Sequence, residues 1–172
     1  MAILPIVKYG DPVLREPTAR VERIDEELQR LIDDMAETMY DAPGVGLAAP
    51  QVGVSLRIFV IDVAGDDEPS DFRVYVNPEI LALDGTQTWN EGCLSFPGIS
   101  EEVKRAAHVR VRALGLDGQL FEHDAEGLLA VAIQHENDHL NGVLMVDKVG
   151  PLERRRVGQK LSRRAKSNAA TI

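Results

Sequence analysis

Between residues 24 and 40 the apolar positions Ile24, Leu28, Leu31, Ile32, Met35 and Met39 recur at helical spacing, with acidic residues between them. This pattern predicts an amphipathic helix over 24–40, stopped by Pro43-Gly44. Residues 1–23, punctuated by Pro5, Pro12 and Pro17, read as extended. The small-residue run 44–51 reads as a loop. Residues 57–63 are an apolar run and predict a buried strand, and 65–70 a polar turn. Further strands are expected over 74–80 and 86–89. In 108–114 the alternation of Val109, Val111 and Ala113 predicts a half-buried strand. Asp117-Gly118 is a hairpin turn signal leading into 119–122. A second helix is expected over 125–141, with Asp124 as N-cap and Gly142 just past its end. Its apolar residues Leu128, Leu129, Val131, Ile133 and Leu140 face several directions, which predicts a buried helix. A third helix starts at Pro151, a residue suited to a first helical position. The fold class that follows is α+β: short antiparallel strands packed around one buried central helix, with an N-terminal and a C-terminal helix, in a single domain over 1–172.

Composition changes this picture little. The chain has 172 residues, 44 % of them apolar, enough for one domain with a real core. No apolar run is long enough for a membrane span, and the N-terminus lacks the pattern of a secretory signal, so the expectation is a cytoplasmic protein. The lone cysteine, Cys93, cannot form an internal disulfide. Charge is more informative. From Pro151 onward seven Lys/Arg stand against Glu153, a local +6; the remainder holds 12 basic and 27 acidic side chains, or −15. An acidic body argues against the whole domain lying on DNA or RNA. The basic tail (Arg154, Arg155, Arg156, Lys160, Arg163, Arg164 and Lys166) is either a solvated face or an anion-binding one.

The chemistry begins at His135-Glu136-Asn137-Asp138-His139. On a helix, residues four apart are offset by about 40° around the axis, so the two imidazoles stack on one face and can grip one metal ion. Glu136 is then placed to reach a metal-bound water without being a ligand, an arrangement suited to metal-assisted hydrolysis. The apolar residues preceding the motif imply burial, and buried polar groups need partners. The long metzincin pattern would require His at position 145, which is Met145. His108 and His123 both read as surface residues. Cys93, in Glu91-Gly92-Cys93-Leu94-Ser95, is either a small buried hydrophobe or a thiolate ligand. A Cys and two His with an open fourth position is a catalytic geometry.

Three segments, Gly44-Val45-Gly46-Leu47-Ala48-Ala49-Pro50-Gln51, Glu91-Gly92-Cys93-Leu94-Ser95 and His135-Glu136-Asn137-Asp138-His139, resemble in sequence and order the signature motifs of bacterial peptide deformylases. The resemblance runs from about residue 5 to about residue 160. Asn137 departs from it, since the family usually has an apolar residue there. The resemblance implies removal of the formyl group from the N-terminal formylmethionine of newly made polypeptides, with release of formate. It implies Cys93, His135 and His139 as ligands of one divalent metal, usually iron(II), replaceable by zinc, nickel or cobalt, with water in the fourth place. Glu136 would be the general base and acid, and the Gln51 amide and Leu94 N–H would stabilise the developing oxyanion. Val45 and Gly46 would flank the substrate on one side and Gly92 on the other, with Val45, Trp89, Leu128, Val131 and Ala132 around the methionine side chain. It also supports docking of the basic C-terminal helix on the ribosome. Truncation after Gly150 is then expected to weaken ribosome binding and spare activity.

Glu91, Arg105 and Asp138 are charges expected near the buried site, with Arg105 pairing with Glu91 or Asp138 to hold the loop against the helix. Two rival readings remain on the residues: a zinc endopeptidase, which needs a cleft open at both ends, and a structural metal site, which needs a fourth protein ligand.

Overall fold

The computed structural model describes residues 2–170, with side chains to Arg163. Helix α1, Glu26–Asp41, buries Leu28, Ile32, Met35 and Met39 along one stripe. Asp25 caps it, its carboxylate accepting from Leu28 N–H at 2.9 Å, and Glu26 and Glu27 complement the helix dipole. Seven strands follow: β1 Gly46–Ala48, β2 Ile58–Ile61, β3 Arg73–Asp84, β4 Gln87–Cys93, β5 Phe96–Arg105, β6 His108–Leu114 and β7 Leu120–Glu126. All pairings are antiparallel. Five strands form one sheet in the order β1-β2-β3-β6-β7, and β4-β5 form a separate two-stranded sheet. Strand β2 is wholly buried, as its apolar run predicts. Helix α2, Gly127–Leu140, carries the His-Glu-Asn-Asp-His run and is buried on several sides, packing on β1, β2, β6 and β7. Helix α3 spans Pro151–Ala170.

The expected α+β class is therefore the observed one, but several boundaries differ for identifiable reasons. The run 44–51 is a short edge strand followed by a 3₁₀ turn at Ala49–Val52. Strand β3 runs on to Asp84 because β6 pairs with it along that length. Strand β5 is absent from the sequence reading. Its alternation of Ile99, Glu101, Val103 and Arg105 is clear, but two of the four inward residues are charged. Helix α2 starts at Gly127, and Asp124 is not its cap. Residues through Glu126 pair with β6, ending on His108↔Glu126, and Gly127, at φ 60°, turns the strand into the helix. His123 is half-buried, its Nε2 at 2.8 Å from the Tyr75 hydroxyl, and not a surface residue; His108 is exposed.

The C-terminal end of α2 is tied down from outside. The Leu140 carbonyl accepts from Thr18 Oγ1 at 2.6 Å and from Arg57 Nη1 at 3.1 Å, which satisfies a terminal acceptor and sets a cation at the negative end of the dipole. In α3, Val157 is fully buried and shares a core cluster with Phe96, Ile99 and Val103. Truncation after Gly150 thus removes a core residue along with the charges, so it cannot isolate their effect. Arg164 and Lys166 lie outside the described side chains.

Candidate metal centre

Three buried or half-buried groups converge where α2 passes the β4–β5 turn. Cys93 Sγ, His135 and His139 each offer a ligand atom, all within 4.8 Å of one another. His135 Nε2 and His139 Nε2 are 3.2 Å apart, and Cys93 Sγ is 3.5 Å from His139 Nε2. A tetrahedral site with metal–N of about 2.0 Å and metal–S of about 2.3 Å has edges of about 3.3 and about 3.5 Å. The donor set therefore fits a small divalent ion without rearrangement of these pairs. His135 Nδ1 faces Glu91 Oε1 at 2.8 Å, an arrangement that turns Nε2 toward the cluster.

Glu91 is held in turn. Arg105 donates Nε to Glu91 Oε2 at 2.6 Å and Nη2 to Oε1 at 2.9 Å, and its Nη1 reaches Asp138 Oδ2 at 2.8 Å. Arg105 and Glu91 are both almost fully buried. Asp138, half-buried, also has Lys148 Nζ at 3.8 Å. Burial pushes the Glu91 carboxyl up, but the hydrogen bonds and charges of Arg105 and His135 outweigh it and leave Glu91 below its ordinary value. Burial pushes Glu136 up to about 7, with the charge of His135 opposing the rise. Glu136 Oε1 is buried without a hydrogen-bond partner among the described residues, and so is His139 Nδ1.

Gln51 is aimed by its neighbours. Its Oε1 accepts from Ala48 N–H at 3.0 Å, which leaves Nε2 directed to Ser95 Oγ at 3.1 Å and Cys93 Sγ at 3.7 Å. Ser95 donates onward to the Val7 carbonyl at 2.7 Å. The sequence reading gave Ser95 no role, since only the fold brings Val7 beneath it. Leu94 occupies the turn between β4 and β5, its side chain against Gly44.

A cleft of about 680 Å³ opens over the centre. Val45, Gly46 and Gln51 line it beside Trp89, Glu91, Gly92, Cys93 and Leu94, with Leu128, Val131, Ala132, His135 and Glu136 on the α2 side. Val45 and Trp89 are exposed, whereas Val131 and Ala132 are buried. His139, Arg105 and Asp138 do not line the cleft. Ile6, Lys8 and Ile99 do and were not anticipated. Nothing local marks the first two, which arrive because Val7 N–H bonds to the Gln51 carbonyl at 2.7 Å. Strand alternation could have found Ile99.

A Cβ added to Gly46 would overlap Glu136 Oε2 and stand 3.0 Å from its Cδ. The obstacle is the end of a flexible side chain, so the fold accommodates it but the carboxylate must move. Gly46→Ala is expected to lower kcat/KM by about a hundredfold, within the range of a displaced proton-transfer group, with the Tm nearly unchanged. Steady-state kinetics and a thermal melt check this; native turnover would show that the carboxylate's position is unimportant.

Fold and site together define a class: an α+β protein with a Cys-His-His group able to hold a metal ion, its two histidines on a buried helix and its cysteine at the end of β4, beside an open cleft. The comparisons then narrow it. The profile of the family described as polypeptide deformylase matches residues 3–155. A peptide deformylase of Syntrophobacter fumaroxidans is 52 % identical over 170 residues, covering 99 % of this chain and 100 % of that one. Among solved structures, a peptide deformylase from Legionella pneumophila superposes with a TM-score of 0.91 at 50 % identity, covering 98 % of each chain. One from Ehrlichia chaffeensis reaches 0.93 at 32 % identity, covering 98 % of this chain and 99 % of that one. The chain belongs to the polypeptide deformylase family, enzymes that remove the N-formyl group from nascent peptides. No described helix is long and apolar enough to cross a membrane.

Proposed function

We propose that residues 1–172 form one catalytic domain that hydrolyses the formyl amide of N-terminal formylmethionine in the cytoplasm, at one divalent metal held by Cys93, His135 and His139. The observation that carries this reading is the convergence of the three donors within 4.8 Å of one another, with the His135–His139 and Cys93–His139 separations at 3.2 and 3.5 Å. Iron(II) is the metal we assign; zinc, nickel and cobalt suit the same donors. A divalent ion supplies Lewis acidity there, lowering the pKa of water and polarising a carbonyl oxygen.

The remaining chemistry belongs to the side chains. Glu136, buried beside the donors, takes the proton of the attacking water and delivers it to the leaving amine. Gln51 Nε2, aimed by Ala48 and Ser95, and the Leu94 N–H donate to the oxygen that becomes negative. The peptide lies between Val45 and Gly46 on the β1 edge and Gly92 on β4, pairing through its main chain. Its methionine side chain sits among Val45, Trp89, Leu128, Val131 and Ala132. Main-chain pairing reads no sequence, so tolerance beyond methionine follows.

Formate release from formyl-Met-Ala tests the reading. Cys93→Ser is expected to lose both bound metal and activity, because a hydroxyl replaces the thiolate ligand. Full activity in Cys93→Ser would overturn the ligand set. Cleavage of N-acetylated peptides in place of formylated ones would favour an endopeptidase.

We assign ribosomal RNA near the peptide exit as the partner of α3. Arg154 and Arg156 face Asp147 and Glu101 at 3.4 and 3.6 Å. Arg155, Lys160 and Arg163 are exposed and have no acidic partner among the described residues, so they are the cations free to meet phosphate. Changing these three to Glu is expected to abolish salt-sensitive ribosome binding while turnover of formyl-Met-Ala stays native. Unaltered co-sedimentation with ribosomes would rule the assignment out.

A further inference from the structure

Strands β4 and β5 set Glu91 directly opposite Glu101. Residues paired in this way share a face of the ribbon, and like charges there repel. Both carboxylates are buried, at 4 % and 8 % exposure. Two buried like charges persist only if each has its own counter-ion. Arg105 serves Glu91 through two hydrogen bonds. Among the described residues, the cation within ion-pair distance of Glu101 is Arg156, at 3.6 Å. Arg156 lies on α3, next to Val157, which is buried in the same cluster as Ile99 and Val103, the β5 residues flanking Glu101. The helix is thus packed where its guanidinium can reach the second carboxylate.

We propose that Arg156 is a positioning residue for the metal centre: by neutralising Glu101 it leaves Glu91 free to orient His135. The chain of contact is short. Arg156 faces Glu101, Glu101 faces Glu91 across the ribbon, and Glu91 Oε1 holds His135 Nδ1 at 2.8 Å. Without Arg156, the uncompensated Glu101 competes for Arg105 or repels Glu91, and either outcome shifts the imidazole. Ile99 and Ser100, which precede Glu101 on β5, line the cleft, so the same disturbance reaches the cleft wall. Helix α3 then supports the centre as well as presenting its free cations to a partner, and the two tasks fall to different residues.

This inference rests on His135 being a metal ligand. The test uses the full chain loaded with cobalt(II), whose absorption spectrum reports ligand geometry independently of turnover, together with a chelator competition for metal affinity. Arg156→Ala is expected to shift the cobalt bands, weaken metal retention about tenfold and lower kcat more than it raises KM. Arg156→Lys should recover part of each. The double variant Glu101→Gln/Arg156→Ala should recover the native spectrum, since the harm comes from the unpaired carboxylate and not from lost packing. A native spectrum and native retention in Arg156→Ala would overturn the proposal. So would a double variant as impaired as Arg156→Ala, which would leave only a packing role for the helix. If Arg156→Ala fails to fold, the double variant decides alone: a native spectrum supports the proposal and a shifted one overturns it. A wild-type chain that takes up no cobalt would refute the ligand set and this proposal with it, whereas normal uptake by the wild type with a native Arg156→Ala overturns the proposal alone.

Discussion

Glu136→Gln is expected to lower kcat about a thousandfold while leaving bound metal and the fold at wild-type levels. Positioned proton transfer contributes roughly 10²–10⁴ to rate, and the amide that replaces the carboxylate cannot accept a proton from water. The substitution is nearly isosteric and Glu136 makes no hydrogen bond through Oε1 to any described group, so the fold should tolerate it. The proposed metal donors are other residues, which is why metal content should hold. Two measurements separate the cases: formate release for the rate, and metal analysis of the purified protein. Turnover within a few-fold of wild type would remove Glu136 from the proton path. A rate loss matched by a loss of metal would make it a structural support of the centre.

Arg105→Ala is expected to have the largest effect on stability. It strips Glu91 of both guanidinium hydrogen bonds and Asp138 of its 2.8 Å partner, in a region where Arg105 and Glu91 are nearly inaccessible. Removing one partner of a buried pair costs about 3–5 kcal/mol, because the other charge stays buried. For a chain of this size that is a fall in Tm of about 10 °C. Metal affinity should fall about 10- to 100-fold, since Glu91 no longer holds His135 in place. Arg105→Lys should recover little, because an ammonium cannot reproduce the two parallel hydrogen bonds to Glu91 and the third to Asp138. Calorimetry and a metal titration check both arms, and a native Tm in Arg105→Ala would sink the account.

The helices were legible because burial imposes a 3.6-residue period on their apolar positions. Ile32, Met35 and Met39 announce α1 whatever lies around them. Strand β5 was hidden because its inward positions alternate apolar with charged, and Glu101 and Arg105 read as surface until their partners are known. Those partners lie far off in sequence, on α3 and on β4 and α2. The start of α2 was misplaced for a related reason: Asp124 is a good cap in isolation, but pairing with β6 claims the backbone through Glu126.

By itself the sequence determined the chemistry available to this protein. Two histidines four apart with a glutamate between them can act together on any helix, so His135, Glu136 and His139 carry their meaning locally. The motif residues around Gln51 and Cys93 were recognisable in the same way, as short strings. What only the tertiary structure decided is how these strings meet. Cys93 lies 3.5 Å from His139 because β4 ends beside α2. Gln51 points at Cys93 because Ala48 and Ser95 hold its amide. A side chain at Gly46 would displace the Glu136 carboxylate, which fills the space beside it. The counter-ions of Glu91 and Glu101 arrive from separate elements. Local periodicity follows from backbone geometry and is written in neighbouring residues. Contacts between distant segments depend on how the sheets and helices pack, and no short window of sequence contains them.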